Sequence, residues 1–264
     1  LSGFDTSWLA LREPADRAAR HAGLMDSLSD YLRGQDAPLV LDIGCGTGST
    51  FRSLAGLLPA GTRWRMLDND PLLLDEAERR IGTACDVTFH RHDLNDLDRL
   101  PLDDVSVVTA SALFDLCSER FCAQLAERLA AAGCGLYAAL NYDGTMRWFP
   151  EHPRDTGMVD LFNRHQRTDK GLGPALGPDA VACLTRQFAM RGFSIRTGDS
   201  PWQLADDMAE LNAESLKGLR TPLIEMSGAT DDAIDQWLAY RLAQLGKPDS
   251  SYLVGHTDIL ALPG

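Results

Sequence analysis

Three glycines at alternate positions, Gly44, Gly46 and Gly48, follow directly on an apolar run, Leu39 to Ile43, that only Asp42 interrupts. A run of this kind reads as a strand buried on both faces of a parallel sheet. The glycines let the backbone take positive φ without strain and come close to a ligand. The next segment, Ser49 to Leu58, has helical character, so its free N–H groups point back at whatever rests on the turn. The chemistry this predicts is capture of a nucleotide-type cofactor.

Spacing narrows the choice of cofactor. A dinucleotide turn has the form Gly-x-Gly-x-x-Gly. Counting from Gly44 puts Ser49 at its third glycine position, and the third glycine comes one residue early, at Gly48. A nicotinamide oxidoreductase is disfavoured on this ground. Four further strand ends carry suitable side chains. Asp68, followed by Asn69, lies twenty residues beyond Gly48, where a carboxylate can accept both hydroxyls of a ribose. Asp93 ends a third strand and can accept from an adenine amino group, with Leu94 flanking the ring. Ser111 follows a fourth strand, and Asn141 and Tyr142 end a fifth. Taken singly, Asp68 could merely cap the helix at Pro71 and Asp93 could be a turn former. Together with the glycine turn they read as one site.

The stretch Asp42-Ile43-Gly44-Cys45-Gly46-Thr47-Gly48 resembles the first motif of the class I, Rossmann-like S-adenosylmethionine (SAM)-dependent methyltransferases, and the resemblance covers about residues 38–142. It implies SAM as cofactor and S-adenosylhomocysteine as product. On that resemblance Asp42, Gly44, Cys45, Gly46 and Gly48 line the methionine end, and Asp68 and Asn69 serve the ribose. Asp93 and Leu94 then serve the adenine, and Ser111 lies beside the path of the methyl group. The implied fold class is α/β. It is a three-layer α/β/α sandwich whose seven-stranded, mostly parallel sheet has an antiparallel last strand. Two departures narrow the subclass to small-molecule enzymes. Ala110-Ser111-Ala112-Leu113 stands where amino-methylating DNA enzymes of the fold carry Asp-Pro-Pro-Tyr, and no Pro-Cys pair occurs.

Charge agrees with that narrowing. The net charge is −13, and the three lysines, Lys170, Lys217 and Lys247, are far apart. Nucleic acid as a partner needs clustered cations and is not expected. The predicted function is methyl transfer to an O, N or C atom of a small molecule. A non-catalytic SAM-binding interaction or sensor subunit, and a protein methyltransferase, are the alternatives.

These residues must be positioned by alternating strands and helices, the pattern of a parallel sheet covered on both faces. Strands are expected at 39–43, 63–68, 87–89, 105–109, 135–140, 193–196 and 251–262. Helices are expected at 14–33, 49–58, from Pro71 at its favoured first position, at 118–132, 156–167, 178–191, 203–219 and 231–245. The whole chain, 1–264, reads as one domain. Residues 1–36 form an N-terminal helical cap, and 145–177 and 200–250 are helical insertions. In the first insertion His165 is the candidate general base, with Asp169 or Asn163 as partner, and Asn141, Tyr142 and Asn163 are candidate acceptor contacts. The Gly- and Pro-rich run 169–178 reads as a lid hinge or as a plain connector. Arg12, Arg17 and Arg20, close to Trp8, are candidates for the cofactor carboxylate. Met146, Trp148, Phe149, Phe162 and Trp202 could form an apolar acceptor pocket.

The six cysteines (Cys45, Cys85, Cys117, Cys122, Cys134 and Cys183) include no Cys-x-x-Cys, so neither a disulfide framework nor a zinc site is expected. His90 and His92 share a strand face, but a strand-end pair near solvent is the better reading, and no metal is expected. There is no run of roughly 18 to 20 apolar residues for a membrane span. Nor does the start, Leu1 to Asp5, carry the marks of a secretory leader. The expected location is the cytoplasm.

Overall fold

The apolar run Leu39–Ile43 is strand β1, buried along its whole length. The computed structural model describes residues 5–83, 86–204, 208–228 and 232–264. Arg63–Asp68 (β2) and Val107–Ser111 (β4) pair parallel with β1 on its two sides. Val87–Arg91 (β3) continues the sheet beyond β2, and Gly135–Phe149 (β5) continues it beyond β4. Ser251–Leu262 (β8) enters antiparallel between β5 and Ser194–Asp199 (β6). The resulting order is β3-β2-β1-β4-β5-β8-β6, with Trp202–Leu204 (β7) pairing on β8. This is the expected Rossmann-like sheet, enlarged by one short strand.

The two faces of the sheet are covered by different helices. Ala22–Arg33 (α2), Ser49–Leu54 (α3) and Pro71–Ile81 (α4) bury Leu24, Leu28, Phe51, Leu54 and Leu74 against Val40, Trp64 and Met66. Glu119–Ala132 (α5) and Ala180–Ala189 (α7) bury Phe121, Leu125, Leu184 and Phe188 against Leu41, Val108 and Ala110. Alternate residues of each central strand therefore feed opposite cores, which is why these strands read as continuous apolar runs.

Several expected boundaries move. The strand expected at 135–140 runs to Phe149, and beyond its irregular middle it pairs with β8 from Met146↔Val254 to Phe149↔Ser251. Trp202 and Leu204 alternate inward on β7 and were expected to begin a helix at 203. The helix starts later, at Ala209–Gly218 (α8), and residues 205–207 lie outside the described residues, as do Cys85 and the expected helix start at 231. Thr6–Ala19 (α1) and α2 replace the single helix 14–33. Asp5 caps α1, and His21 breaks the chain between the two by capping α2 through its ring nitrogen. The extended β5–β8 ribbon carries a third core, Trp148, Tyr252 and Val254. Asp155–Gln166 (α6), α8, Arg220–Ser227 (α9) and Asp232–Leu242 (α10) enclose it.

One buried carboxylate holds the junction of these parts. Asp258, on β8, has no exposed surface. Its Oδ1 accepts from Leu140 N–H at 2.8 Å and Ser200 Oγ at 2.6 Å, and its Oδ2 from His21 N–H and Tyr137 O–H, each at 3.0 Å. Leu140 sits at φ +58°, a strained setting for a branched residue, and the register of β5 on β8 shifts there. Asp258→Asn would turn an amide donor toward two of these donors, and each unsatisfied group costs about 1–3 kcal/mol. The expected loss is about 3 kcal/mol, read as a lower urea midpoint at unchanged slope.

Candidate functional site

The glycine turn after β1 is hooked to β2 at two points. Cys45 N–H donates to Leu67 O at 2.9 Å, and Gly46 N–H donates to Asp68 Oδ2 at 2.9 Å. Asp68 Oδ1 accepts from Asp70 N–H at 2.9 Å, so both carboxylate oxygens are oriented and each keeps a lone pair for a ligand. Gly48 has φ +83°, and a Cβ there would stand 2.8 Å from Ile81 Cδ1 of α4. Its role is close helix packing. Gly46, in contrast, has φ +55° and lines a cavity, where a Cβ would stand 3.6 Å from Leu9 Cδ1.

Above the carboxyl ends of β1, β2 and β4 lies a cavity of about 150 Å³. Gly44, Cys45, Gly46, Asp68, Asn69, Asp93, Leu94 and Ser111 all line it, as expected from their strand-end positions. Asp93 Oδ1 accepts from Asn95 N–H at 2.9 Å and from Asn95 Nδ2 at 3.0 Å. The Asn95 backbone bond holds its carboxyl below the usual range, and Oδ2 is left for a ligand. Leu9, Arg12 and Asp16 of α1 form one wall, and Leu113, Leu116 and Leu172 another.

The floor is a polar network with unfilled bonds. Ser111 Oγ accepts from Arg20 Nη2 at 2.8 Å and lies 3.0 Å from Thr50 Oγ1. Arg20 is only 4% exposed, yet its Nε and Nη1 have no partner. Asp42 lies fully buried beneath the cavity rather than on its lining. Its Oδ1 accepts from Thr109 Oγ1 at 2.7 Å, and its Oδ2 is unpartnered. Burial pushes the Asp42 carboxyl up to about 7, against the opposing pull of Thr109, Arg20 and Thr50. Unsatisfied buried polar atoms are costly, and here a cationic and an anionic group lie together beneath the cavity.

Helix α1 is tied over the site by charge. Arg52 Nε and Nη2 each donate to Glu13 at 2.7 Å, and Arg52 Nη1 donates to Thr47 O at 2.6 Å. Burial alone would raise Glu13, but the Arg52 bonds and charge, with Arg80 and Arg17, hold it below the usual range. Arg12 donates to Asp16 through Nε and Nη2 at 2.9 and 3.1 Å, and Trp202 Nε1 donates to Asp16 at 2.9 Å.

Other expected site residues lie elsewhere. Asn141 is fully buried and bonds Ala138 O and Thr257 O at 3.1 and 2.9 Å, closing the β5–β8 irregularity. Tyr142 O–H donates to Asn163 Oδ1 at 2.8 Å, and Asn163 Nδ2 donates to Gly144 O at 2.9 Å. None of the three lines the cavity. His165 does not line it either. Its Nε2 lies 3.1 Å from Glu225 Oε2 of α9 and its Nδ1 3.3 Å from Lys170 Nζ. Asp169 accepts from Gly171 N–H at 2.7 Å in a turn. Trp148 and Trp202 are buried in the third core, with Met146 and Phe162 packed against it, and Phe149 is exposed. Arg17 pairs with Glu13 at 3.7 Å. Sequence reasoning missed Leu9, Asp16, Thr50 and Leu172, for which only the i, i+4 spacing of Arg12 and Asp16 was a signal. Among the described residues no cluster of potential metal ligands occurs.

Residues 40–133 match the profile of a family described as "Methyltransferase domain". That stretch, about a third of the chain, is similar to methyltransferase domains. Two solved structures share its fold. The YcgJ protein of Bacillus subtilis superposes with TM-score 0.54 at 14% identity, covering 92% of this chain and 99% of that one. A possible exported protein of Bordetella parapertussis gives 0.50 at 17%, covering 92% and 67%. A SAM-dependent methyltransferase of Geobacter sulfurreducens, solved with S-adenosylhomocysteine, gives 0.49 at 16%, covering 98% and 99%. No curated protein matches the sequence significantly.

Asp42 makes stability depend on pH. Its pKa in the fold, about 7, lies above the ordinary 3.8. The stabilisation is therefore complete below pH about 4 and is lost as pH rises through about 7. Asp42→Asn keeps an acceptor for Thr109 but has nothing to ionise. The fall in urea midpoint between pH 4 and pH 8 should be smaller in this variant than in the parent protein. A second outcome concerns His165, away from the cavity. His165→Ala should leave SAM affinity within about twofold of the parent by calorimetry.

Proposed function

We propose that the protein moves the methyl group of SAM to an O, N or C atom of a small-molecule acceptor. The observation that carries this is the single cavity into which the glycine turn, Asp68, Asp93 and Ser111 all converge. In this reading Asp68 accepts the ribose hydroxyls and Asp93 Oδ2 accepts from the adenine amino group, with Leu73 and Leu94 against the ring. The unpaired Arg20 nitrogens and Asp42 oxygen suit the carboxylate and amino group at the methionine end. Bound SAM supplies a methyl group already activated on a sulfonium.

The protein then has two tasks. It aligns the acceptor in line with the carbon–sulfur bond, and it keeps water out. Leu113, Leu116 and Leu172 give the apolar wall for this, and α1, fixed by Glu13–Arg52, gives the other. A small acceptor fits the enclosed shape, and the charge of −13 argues against nucleic acid. Cys45, Cys117, Cys122, Cys134 and Cys183 are buried unbridged thiols, which suits a reducing cytoplasm. Among the described residues no helix is long and apolar enough to cross a membrane.

A thermal-shift titration with SAM, S-adenosylhomocysteine and NAD in parallel tests the reading. Ligand at a hundred times its dissociation constant adds about 2.7 kcal/mol, which raises the midpoint of a chain this size by roughly 5–10 °C. Both adenosyl ligands should produce the shift and NAD should not, whereas a shift with NAD alone overturns the assignment. Asp68→Ala should weaken SAM by about tenfold or more, and Gly46→Val should abolish the shift by filling the cavity beside the turn.

A further inference from the structure

Two walls of the cavity hold no residue assigned to the cofactor. One is Leu9, Arg12 and Asp16 of α1, and the other is Leu113, Leu116 and Leu172. Among the described residues Arg12 is the one Arg or Lys that lines the cavity. Its side chain is only 12% exposed. A cation so far removed from water is costly unless its donors are filled.

A guanidinium carries five N–H donors in a rigid planar fork. Arg12 directs two of them at Asp16, from Nε to Oδ2 at 2.9 Å and from Nη2 to Oδ1 at 3.1 Å. Its Cζ lies 4.9 Å from the centroid of the Trp202 ring. The carboxylate fixes one edge of the guanidinium, and the ring packs against it. The other edge, Nη1 with the second N–H of Nη2, has no hydrogen bond among the described residues. Asp16 has no such capacity to offer, because Trp202 Nε1 also donates to its Oδ1 at 2.9 Å, so both oxygens are engaged. The ion pair is neutral as a whole, yet the bonding capacity it leaves open is that of a donor. It suits an anion and offers nothing to an ammonium group.

We propose that the methyl acceptor is a carboxylic acid with an apolar body, and that the open edge of Arg12 holds its carboxylate. This rests on the methyltransferase reading above. Two parallel N–H···O bonds from one edge of a guanidinium fix a carboxylate in both position and plane. Leu113, Leu116 and Leu172 take the apolar body. Arg12 selects and orients the acceptor and takes no part in making or breaking bonds. Arg20, beneath the cavity, is left for the carboxylate of the cofactor, so the two arginines serve two different anions.

The test is calorimetric titration of the S-adenosylhomocysteine complex with two pairs of probes matched in shape and opposite in charge. They are 3-phenylpropionate with phenethylamine, and heptanoate with hexylamine. In at least one pair the parent protein should bind the carboxylate about tenfold or more tightly than the amine. Arg12→Gln should lose about tenfold or more for that carboxylate while keeping its affinity for S-adenosylhomocysteine within about twofold, which also reports that it is folded. Failure of both carboxylates to bind, equal or tighter binding of the amine in both pairs, or unchanged carboxylate affinity in the folded variant each overturns the proposal. So does a tenfold loss of S-adenosylhomocysteine in the variant, which would give Arg12 to the cofactor. The comparison on the parent protein decides even if the variant fails to fold. Failure of S-adenosylhomocysteine itself to bind the parent overturns the methyltransferase reading instead, and the acceptor assignment with it.

Discussion

Asp258 is buried with no ion-pair partner among the described residues, and its two oxygens are balanced by four hydrogen bonds from His21, Tyr137, Leu140 and Ser200. Taking a carboxylate out of water is costly unless its lone pairs are filled, so the four donors must arrive together. They come from the break between α1 and α2, from two points on β5, and from the turn before β7. Each of these segments has its path constrained by the same group. The α1–α2 break brings Arg20 to Ser111, and the irregularity at Leu140 redirects β5 into the long ribbon that carries the third core.

From that anchor the site is assembled by α1. Its outer residues are tied to the glycine turn and α3 through Glu13 and Arg52, and to β7 through Asp16 and Trp202. Surface ion pairs contribute little. The Glu13–Arg52 pair is different, because both side chains are mostly buried and the contact is bidentate, a geometry that strengthens charge-assisted bonds. The helix closes one side of the cavity as a consequence of these contacts, and packing of Leu11 and Ala15 into the third core supports it.

Polar satisfaction sets two buried carboxylates apart from two others. Asp258 and Asp16 have donors for both oxygens. Asp42 and Asp115 each keep one open oxygen, and burial raises both, to about 7 and about 6. Open buried oxygens persist against a stability cost. Asn141, with an open Oδ1 of its own, shows that the signal is not confined to the cavity, so position must accompany it.

The strand, the glycine turn, the strand-end positions of Asp68 and Asp93 and the sandwich architecture are legible in chain order alone. Each of these depends on contacts over a few residues or on periodic burial, and chain order preserves both. Gly46 and Asp68 are legible because the strand-end geometry that joins them recurs in every sheet of this kind. Which polar residues meet is set by three-dimensional packing. Arg20 reaches Ser111 across 91 positions, and Asp16 reaches Trp202 across 186. His165 reads as a base in an exposed polar stretch, yet the packing of α6 on α9 turns it to Glu225. Residue type states what a side chain can bond, whereas three-dimensional packing sets which partners are within 3 Å and which bonds go unfilled.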